Sequence, residues 1–319
     1  MRIAVFGSGG VGGYFGGRLA QAGEDVIFIA RGEHLKAIRQ NGLRVDSIVG
    51  DFVTHPAQAT DIPAEVGVVD AVLVTVKAWQ VSEAAEAMKP MVGPNTMVGD
   101  CPTTMVIPLE NGVDAPDQLA ALLGAEHVLG GLCHVSALIA GPGHIKHVAI
   151  PPRIAFGELD GRTSERVERL RQVFERCQGV TAAVPADIRV ALWEKFLFIA
   201  AISGVGAVKR QPAGVIRSVA ETRDMLLRAM EEVAAVAEAR GITLSPGIIQ
   251  KTMSFIDNMP PATMASMQRD IIEGRPSELE AQNGAVVRLA KEVDVEVPTH
   301  AFIYASLLPG ELKARGKIA

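Results

Sequence analysis

The chain has 319 residues, of which 48% are hydrophobic and 21% charged, and its formal net charge at pH 7 is −5. This length favours two globular domains over one or three. Because acidic and basic residues nearly balance, the sequence offers no basic field for a nucleic-acid backbone or an anionic membrane surface. We therefore expect neither nucleic acid nor a membrane as a partner.

The first residues enter a predicted strand at Arg2 without a charged leader or cleavage site. No apolar run reaches the roughly 18 residues of a membrane span. The isolated cysteines Cys101, Cys133 and Cys177 form an odd set without CxxC pairing, which argues against a disulfide framework. Together these features predict a cytoplasmic protein.

Residues 1–185 alternate short apolar runs with helical patterns, which is typical of βαβ units and a mostly parallel sheet. The predicted strands are apolar throughout, as strands buried on both faces should be, and cover 3–6, 26–29, 71–76 and 105–107. A Gly-Pro-Gly turn at 141–143 within the alternating stretch 130–157 predicts a hairpin or an antiparallel extension.

Beyond residue 185 the apolar positions recur at helical spacing. Asp187 is a candidate cap for a helix over 191–207, and the pattern over 219–240 stops at Gly241. Further helices are predicted over 246–258, 263–273, 278–293 and 299–308, separated by prolines. We therefore expect an α/β domain over 1–185 and a helical domain over 186–319.

A GxGxxG motif follows the first predicted strand directly and opens a predicted helix over 14–22. In that context the first glycine permits the tight turn, the second lets the backbone approach a pyrophosphate, and the third allows close helix packing. The motif predicts a doubly wound, Rossmann-type dinucleotide-binding domain; the alternative is a glycine-rich turn without a ligand. The predicted contacts are Gly7, Ser8, Gly9, Gly10, Val11 and Gly12.

The end of the second strand indicates which dinucleotide is bound. An NAD site usually has Asp or Glu there to hold the ribose 2′-hydroxyl, whereas this chain has Arg31. Because a guanidinium can grip a 2′-phosphate with two parallel hydrogen bonds, we predict NADP. The alternative is a solvated surface arginine.

Polar residues at the carboxyl ends of other strands are further candidates, because ligands of doubly wound sheets bind there. Lys77 follows the run 71–76, and Asn111 follows the run 105–109. Both are expected to face the cofactor crevice. Either could instead be an ordinary loop residue, since Asn-Gly is a common turn.

Lys195 lies in a helical segment, 192–202, that is apolar almost all round. Burying an ammonium is costly without a partner or a task, so we expect a buried lysine that donates a proton to a ketone oxygen and stabilises the developing alkoxide. The alternatives are a lysine that snorkels to solvent or pairs with an acid.

Other polar groups are less specific. Ser266, Asp270, Glu278 and Asn283 are, by sequence alone, solvated helix faces and caps. His134, His144 and His147 cluster near the predicted hairpin, but without neighbouring carboxylates or cysteines they do not make a metal site. We predict no metal.

Several segments together resemble the ketopantoate reductase family, in order and spacing over essentially the whole chain. They are the glycine-rich opening at 7–20, the segments 74–80, 108–113, 192–195 and 266–270, and Glu278 and Asn283. The resemblance implies a Rossmann-type sheet followed by an all-α domain similar to the C-terminal domain of 6-phosphogluconate dehydrogenase. It also implies NADPH-dependent reduction of 2-dehydropantoate to pantoate, a step of pantothenate and coenzyme A synthesis.

The resemblance also implies roles for individual residues. Lys195 matches the general acid at the C2 oxygen, Glu278 the acid that helps hold substrate and lysine, and Ser266 a ligand of the substrate carboxylate. Asn111 matches an asparagine where nicotinamide and substrate meet. The matching cofactor contacts are Arg31, at the 2′-phosphate, Lys77 and Gln80.

Departures from the family pattern concern the substrate. Asparagines one and two turns after the catalytic lysine are replaced by Ile199 and Ser203, and a third, in the following loop, aligns near Ala213. Ser203 remains a candidate substrate contact. Because specificity for polar substrates is built from such groups, we expect a more apolar pocket than is usual.

Two alternative functions, one segment and the oligomeric state stay open at this point. The chain could be a paralogue acting on another 2-oxo acid, or a non-catalytic NADP-binding sensor, although Lys195, Asn111 and Glu278 argue against a sensor. Residues 98–104 resemble a short insertion, which we interpret as a surface loop. The helical half could bury an apolar face in a homodimer or within one chain.

Overall fold

The computed structural model describes residues 1–93 and 104–318. The chain divides into two compact units. Unit 1 comprises Met1–Glu110 and Ala115–Ile188, and unit 2 comprises Asn111–Asp114 and Arg189–Ala319. The boundary expected at 185/186 lies three residues before the main division. Residues 98–103 of the expected insertion lie outside the described residues.

In the described part of the chain, all strands belong to unit 1. In chain order they are β1 (Arg2–Phe6), β2 (Asp25–Ile29), β3 (Leu43–Ser47), β4 (Phe52–Thr54), β5 (Gln58–Thr60), β6 (Ala71–Val74), β7 (Met105–Pro108), β8 (Leu129–His134), β9 (Ala137–Gly141), β10 (His144–His147), β11 (Arg153–Glu158) and β12 (Thr181–Ala183). The four apolar runs of the sequence correspond to β1, β2, β6 and β7, so the prediction of these strands is confirmed.

Within the described residues, the main sheet is parallel with the order β5-β2-β1-β6-β7. The strand β1 pairs with β2 on one side and with β6 on the other, in the registers Ile3↔Val26 and Ile3↔Ala71. Successive strands are therefore added first on one side of β1 and then on the other. The carboxyl ends of β1 and β6 lie side by side at this change of direction. This is the position at which doubly wound sheets bind ligands.

A second sheet, with the order β4-β3-β10-β9, lies beside the first helix of the chain. The hairpin of β9 and β10 confirms the predicted hairpin around the Gly-Pro-Gly turn. The strands β8 and β11 pair antiparallel in a third sheet with β12. The other two strands of the second sheet, β3 and β4, were not predicted, because they carry too few residues to establish an alternating pattern.

Helices complete unit 1. They are α1 (Gly10–Gln21), α2 (Gly32–Asn41), α3 (Val81–Met88), α4 (Ala115–Leu123) and α5 (Glu165–Glu175), with short 3-10 turns at Pro63–Glu65, Ala78–Gln80, Lys89–Met91 and Ala125–His127. The helix α1 begins four residues earlier than predicted, within the glycine motif itself.

Unit 2 is helical, as predicted. After α6 (Ile188–Lys209) follow α7 (Ala213–Ser218), α8 (Ala220–Ala239), α9 (Ile248–Asn258), α10 (Ser266–Ile272), a π-helical turn (Glu280–Gly284), α11 (Ala285–Glu292) and α12 (Pro298–Ala314). The single helix expected over 278–293 is therefore a π turn followed by α11. The helix α12 continues through Pro309, beyond its predicted end.

The helix α6 is the central core element of unit 2. By length and composition alone it could cross a membrane, which corrects the expectation that no apolar segment has that length. However, 67% of its most apolar window is buried inside the protein. Trp193, Phe196 and Leu197 pack into the same core as residues of α8 and α11. We therefore assign α6 as a core helix.

Candidate active site

The glycine loop between β1 and α1 has the geometry of a phosphate cradle. Gly7 has a φ of 104°, which favours glycine. A Cβ on Gly12 would lie 2.2 Å from the carbonyl oxygen of Gly7, so this position also requires glycine. A Cβ on Gly9, in contrast, would meet nothing within 4 Å. The backbone at Gly9 is therefore open to an approaching group, whereas the turn around it is tightly packed.

Two neighbours of the loop hold it in place. The hydroxyl of Thr75, just after β6, donates to the carbonyl oxygen of Gly7 at 2.7 Å. A Cβ on Gly10 would lie 2.2 Å from the carbonyl oxygen of Ala137 on β9. Gly10 is thus required for packing against the second sheet, a role that the sequence did not reveal.

Ser8, a predicted cofactor contact, uses both of its donors within the protein. Its side chain is buried, and both its hydroxyl and its amide donate to the carbonyl oxygen of Ile29, at 3.0 Å and 3.2 Å. Neither donor of Ser8 is available to an anion unless these bonds break. Ser8 instead ties the glycine loop to the end of β2.

Arg31 lies where the sequence places it, two residues after β2 and at the cap position of α2. Its side chain is 72% exposed, and its guanidinium lies 3.5 Å from the similarly exposed carboxylate of Glu83. Exposed ion pairs of this kind contribute little stability. The guanidinium can therefore exchange this partner for a phosphate at small cost.

Lys77 and Gln80 form one local structure after β6. The backbone amide of Lys77 donates to Oε1 of Gln80 at 3.3 Å, and the Lys77 ammonium lies 5.8 Å from the ring centre of Trp79. The side chain of Lys77 is exposed. Lys77 and Gln80 follow β6, and the glycine loop follows the adjacent strand β1. Unit 1 thus carries all predicted dinucleotide contacts except Asn111, which belongs to unit 2.

In unit 2 the structure brings together two residues that are 167 positions apart. The amide Nδ2 of Asn111 donates to Oε2 of Glu278 at 3.2 Å, and Glu278 is buried. The backbone of Gly112 lies close to the π turn, because a Cβ there would be 2.9 Å from the carbonyl oxygen of Ala281. A carboxamide and a buried carboxylate thus share one hydrogen bond.

Lys195 lies in the second turn of α6, between the buried residues Trp193 and Phe196. The expectation that Lys195 is buried is wrong, since the residue is only partly buried. An all-round apolar sequence does not tell which side of a helix is covered. The neighbouring Glu194 accepts a hydrogen bond from the backbone amide of Ser245 at 3.0 Å, which fixes its carboxylate.

Ser266 and the three positions that depart from the family pattern differ in exposure. Ile199, one turn after Lys195, is partly exposed, and Ser266 is a partly exposed residue at the start of α10. Ser203 is completely buried, and within residues 1–93 and 104–318 its hydroxyl has no hydrogen-bond partner. Its oxygen is enclosed, so it could contact a substrate only after a rearrangement. Ala213 is also buried.

Asn283 and His300 form a buried polar connection that sequence reasoning missed. Nδ2 of Asn283 donates to the carbonyl oxygen of Ala200 at 3.1 Å and to Nδ1 of His300 at 3.0 Å. Nε2 of His300 donates to the carbonyl oxygen of Ala229 at 2.9 Å. Burial lowers the pKa of His300, which keeps the ring neutral. These bonds join α6 and α8 to the segment that carries Glu278.

The histidines near the hairpin have structural partners. Nε2 of His144 lies 2.9 Å from Oδ2 of Asp46, and His147 contacts Ser47 and the carbonyl oxygen of Ile150. In the part of the chain that the structure describes, no group of three or more His, Cys, Asp or Glu side chains is arranged to hold a metal ion.

Comparison with known proteins places both units in one family. The family model described as "Ketopantoate reductase PanE/ApbA" matches residues 3–161, and its companion, "Ketopantoate reductase PanE/ApbA C terminal", matches residues 187–310. The chain belongs to the ketopantoate reductase family. The family resemblance expected from the sequence is thereby confirmed, together with the α/β fold and the helical second part.

Individual relatives of this reductase family member match almost the whole chain. An uncharacterized oxidoreductase of Bacillus subtilis is 31% identical over 309 residues, which cover 96% of this chain and 98% of the relative. A 2-dehydropantoate 2-reductase of Mesorhizobium japonicum is 31% identical over 312 residues, covering 94% of each. The crystal structure of a 2-dehydropantoate 2-reductase from Geobacter metallireducens is 31% identical, with a TM-score of 0.88 over 97% of this chain and 99% of that one.

Proposed function

We propose that the protein is a cytoplasmic enzyme that reduces 2-dehydropantoate to pantoate with NADPH, a step of pantothenate synthesis. The observation that carries the proposal is the Asn111–Glu278 hydrogen bond in the same unit as Lys195. The family resemblance gives each of these three residues a role at the substrate. A sensor that only binds a dinucleotide would need neither Lys195 nor Glu278.

The glycine loop and Arg31 of unit 1 support a nicotinamide dinucleotide as the cofactor. The open backbone at Gly9 leaves room for a pyrophosphate, and the start of α1 offers it backbone amides. Arg31, with its weakly held guanidinium, would bind the 2′-phosphate that distinguishes NADPH from NADH. Lys77 and Gln80 would contribute further contacts. When bound, NADPH supplies the hydride that the reaction needs.

The residues of unit 2 would supply the proton and the orientation. In the proposed reaction, C2 of the 2-oxo acid gains a hydride and its carbonyl oxygen gains a proton from the Lys195 ammonium, which yields the 2-hydroxy acid. The positive charge of Lys195 also stabilises the developing alkoxide. Glu278, held by Asn111, would orient substrate and lysine, and Ser266 would bind the substrate carboxylate.

A second candidate is the same reaction on a 2-oxo acid with a more apolar side chain. It is favoured by Ile199, which is partly exposed one turn after Lys195, and by Ser203, whose hydroxyl is enclosed. Neither residue offers the exposed amide that a hydroxylated substrate would use. This candidate changes the substrate but neither the chemistry nor the catalytic groups.

Steady-state rates of NADPH oxidation with 2-dehydropantoate and a panel of other 2-oxo acids test the proposal, with NADH as the cofactor control. We expect turnover with 2-dehydropantoate that is much faster with NADPH. Preference for another 2-oxo acid would establish the second candidate. NADPH binding without turnover on any acid of the panel would contradict both and indicate a sensor.

A further inference from the structure

His34, on α2, bridges three segments around the glycine loop. Its Nε2 lies 2.8 Å from the carbonyl oxygen of Ser8, and its Nδ1 accepts a hydrogen bond of 3.0 Å from the backbone amide of Gly143. Gly143 belongs to the turn between β9 and β10. One imidazole thus connects the glycine loop, the helix that follows Arg31, and the hairpin of the second sheet.

These bonds determine the protonation state of the ring. A backbone amide can only donate, so Nδ1 must be the acceptor; a carbonyl oxygen can only accept, so Nε2 must carry the hydrogen. Only the neutral ring can make both bonds at once, because the bond to Ser8 survives protonation and the bond from Gly143 does not. Protonation would place an Nδ1–H against the amide of Gly143, and one of the two connections would be lost. Burial lowers the pKa of His34 from its ordinary value of 6.5, although the bond to Ser8 acts in the other direction.

The hairpin that His34 holds also packs directly under the loop. Cβ atoms on Gly10 and Gly13 would lie 2.2 Å from the backbone of Ala137 and 2.7 Å from the side chain of Ile145. Ser8, whose carbonyl the imidazole holds, immediately precedes Gly9, where the backbone is open. The position of the Gly9 backbone therefore depends on contacts that the loop makes with His34 and with the hairpin.

We propose that His34 is a positioning residue for dinucleotide binding, and that its neutral imidazole holds the glycine loop in the conformation that accepts the pyrophosphate. The inference rests on the proposed function, because it presumes that this loop binds a dinucleotide. It goes beyond that function in making cofactor affinity depend on the protonation of a residue outside the glycine motif.

Charged side chains on the elements that hold the ring have partners of their own. Arg31, just before α2, pairs with Glu83 of α3, and Lys36 pairs with Glu33 within α2. Arg39, also on α2, donates to the carbonyl oxygen of Ala59. From the second sheet, Asp46 pairs with both His144 and Arg44. The glycine loop, residues 7–12, contributes no charged side chain. No charged residue is among the causes that shift the pKa of His34. The pKa of the ring therefore depends mainly on its burial and its hydrogen bonds.

The sign of the pH effect follows from the neutral ring. Affinity for the dinucleotide should be full above the ordinary histidine value of 6.5 and should fall as the pH drops through the lowered pKa of His34. A different expectation would hold if the protonated ring attracted the pyrophosphate by charge, since affinity would then rise at low pH. The two mechanisms therefore predict opposite slopes.

Calorimetric titration with NADP⁺ between about pH 8 and about pH 5.5 tests this, with the wild type, His34→Gln and His144→Gln compared. Glutamine keeps one donor and one acceptor but does not titrate. We expect wild type and His144→Gln to lose about two- to fivefold in affinity at the lowest pH relative to His34→Gln, because a ring whose pKa lies below 6.5 is only partly protonated there. The titration of the 2′-phosphate is common to all three proteins and cancels in the comparison.

A second measurement needs no variant. By linkage, NADP⁺ that prefers the neutral ring must lower the pKa of His34 when it binds, and NMR of the imidazole reports that shift. Superimposable pH profiles for wild type and His34→Gln, an affinity that rises at low pH, or an unchanged ring titration would each overturn the inference. Absence of NADP⁺ binding at every pH would instead overturn the proposed function itself, and with it this inference.

Discussion

The glycine loop of unit 1 and the Lys195 region of unit 2 are built in different ways. The loop is one contiguous stretch, residues 7–12. Its packing depends on backbone conformation and on glycines, whose lack of a side chain allows close contacts. The unit 2 group combines side chains from positions 111, 195 and 278, which only the fold brings into one compact unit. The first kind of site can be recognised from a motif, whereas the second requires the tertiary structure.

This contrast predicts that substitutions in the two units affect different kinetic constants. Substitutions in unit 1 should mainly change KM for the dinucleotide, because they remove binding that is equal in the ground and transition states. Substitutions in unit 2 should mainly change kcat, because they remove groups that act in the chemical step. The following variants test whether the two units separate in this way.

The largest effect is expected for Lys195→Ala, which removes the proposed proton donor. We expect kcat to fall about 10²-fold or more, in the range of lost general acid catalysis, with little change in KM for NADPH. Lys209→Ala, an exposed lysine at the end of the same helix, is the matched control and should behave as wild type. A near-normal kcat for Lys195→Ala would remove the lysine from the mechanism.

Next in size is Arg31→Ala, which should raise KM for NADPH about 10- to 100-fold by removing charge-assisted hydrogen bonds to the 2′-phosphate. KM for NADH and kcat should change little. Lys36→Ala, an exposed cation on the same helix, controls for the general loss of positive charge. Equal effects on both cofactors would rule out the 2′-phosphate assignment.

A smaller effect is expected for the Asn111–Glu278 pair. Asn111→Ala removes a hydrogen bond to a buried carboxylate, and we expect kcat to fall about tenfold. If the two side chains act together, the double variant with Glu278→Gln should lose less than the product of the two single losses. Strictly multiplicative losses would show that the pair does not act as a unit.

The smallest effect is expected for Ile199→Asn, measured as kcat/KM for 2-dehydropantoate. An exposed amide there should raise that ratio by several-fold, about the effect of one added polar contact. Ile199→Leu, which conserves volume, should show no gain. Ser203→Asn is less informative, because the enclosed site would be overpacked. No gain with Ile199→Asn would mean that other groups already recognise the substrate.

Much of unit 1 could be predicted from the sequence, and the reasons are local. The apolar runs of β1, β2, β6 and β7 are buried on both faces, so composition alone identifies them. The roles of Gly7, Gly9 and Gly12 follow from the motif. The hydrogen bonds from Ser8 to Ile29 could not be predicted, because nothing in the motif shows how the two donors of Ser8 are used.

The rest depended on contacts between distant residues. Asn111 and Glu278 were each identified, but their hydrogen bond spans 167 positions and has no local signal. His34 and His300 carried no signal either, because a lone histidine in a helix does not show what its two nitrogens contact. The partial burial of Lys195 depends on which side of α6 is covered, and an almost uniformly apolar helix does not indicate that.

The most direct test of the central claim is the fate of the hydride. Purified protein is supplied with 2-dehydropantoate and NADPH deuterated at C4 of the nicotinamide, on each face in turn, and the product is analysed by mass spectrometry and NMR. The account predicts pantoate with one deuterium at C2 from one of the two labelled cofactors. Pantoate without label from both, or no pantoate at all, would contradict it.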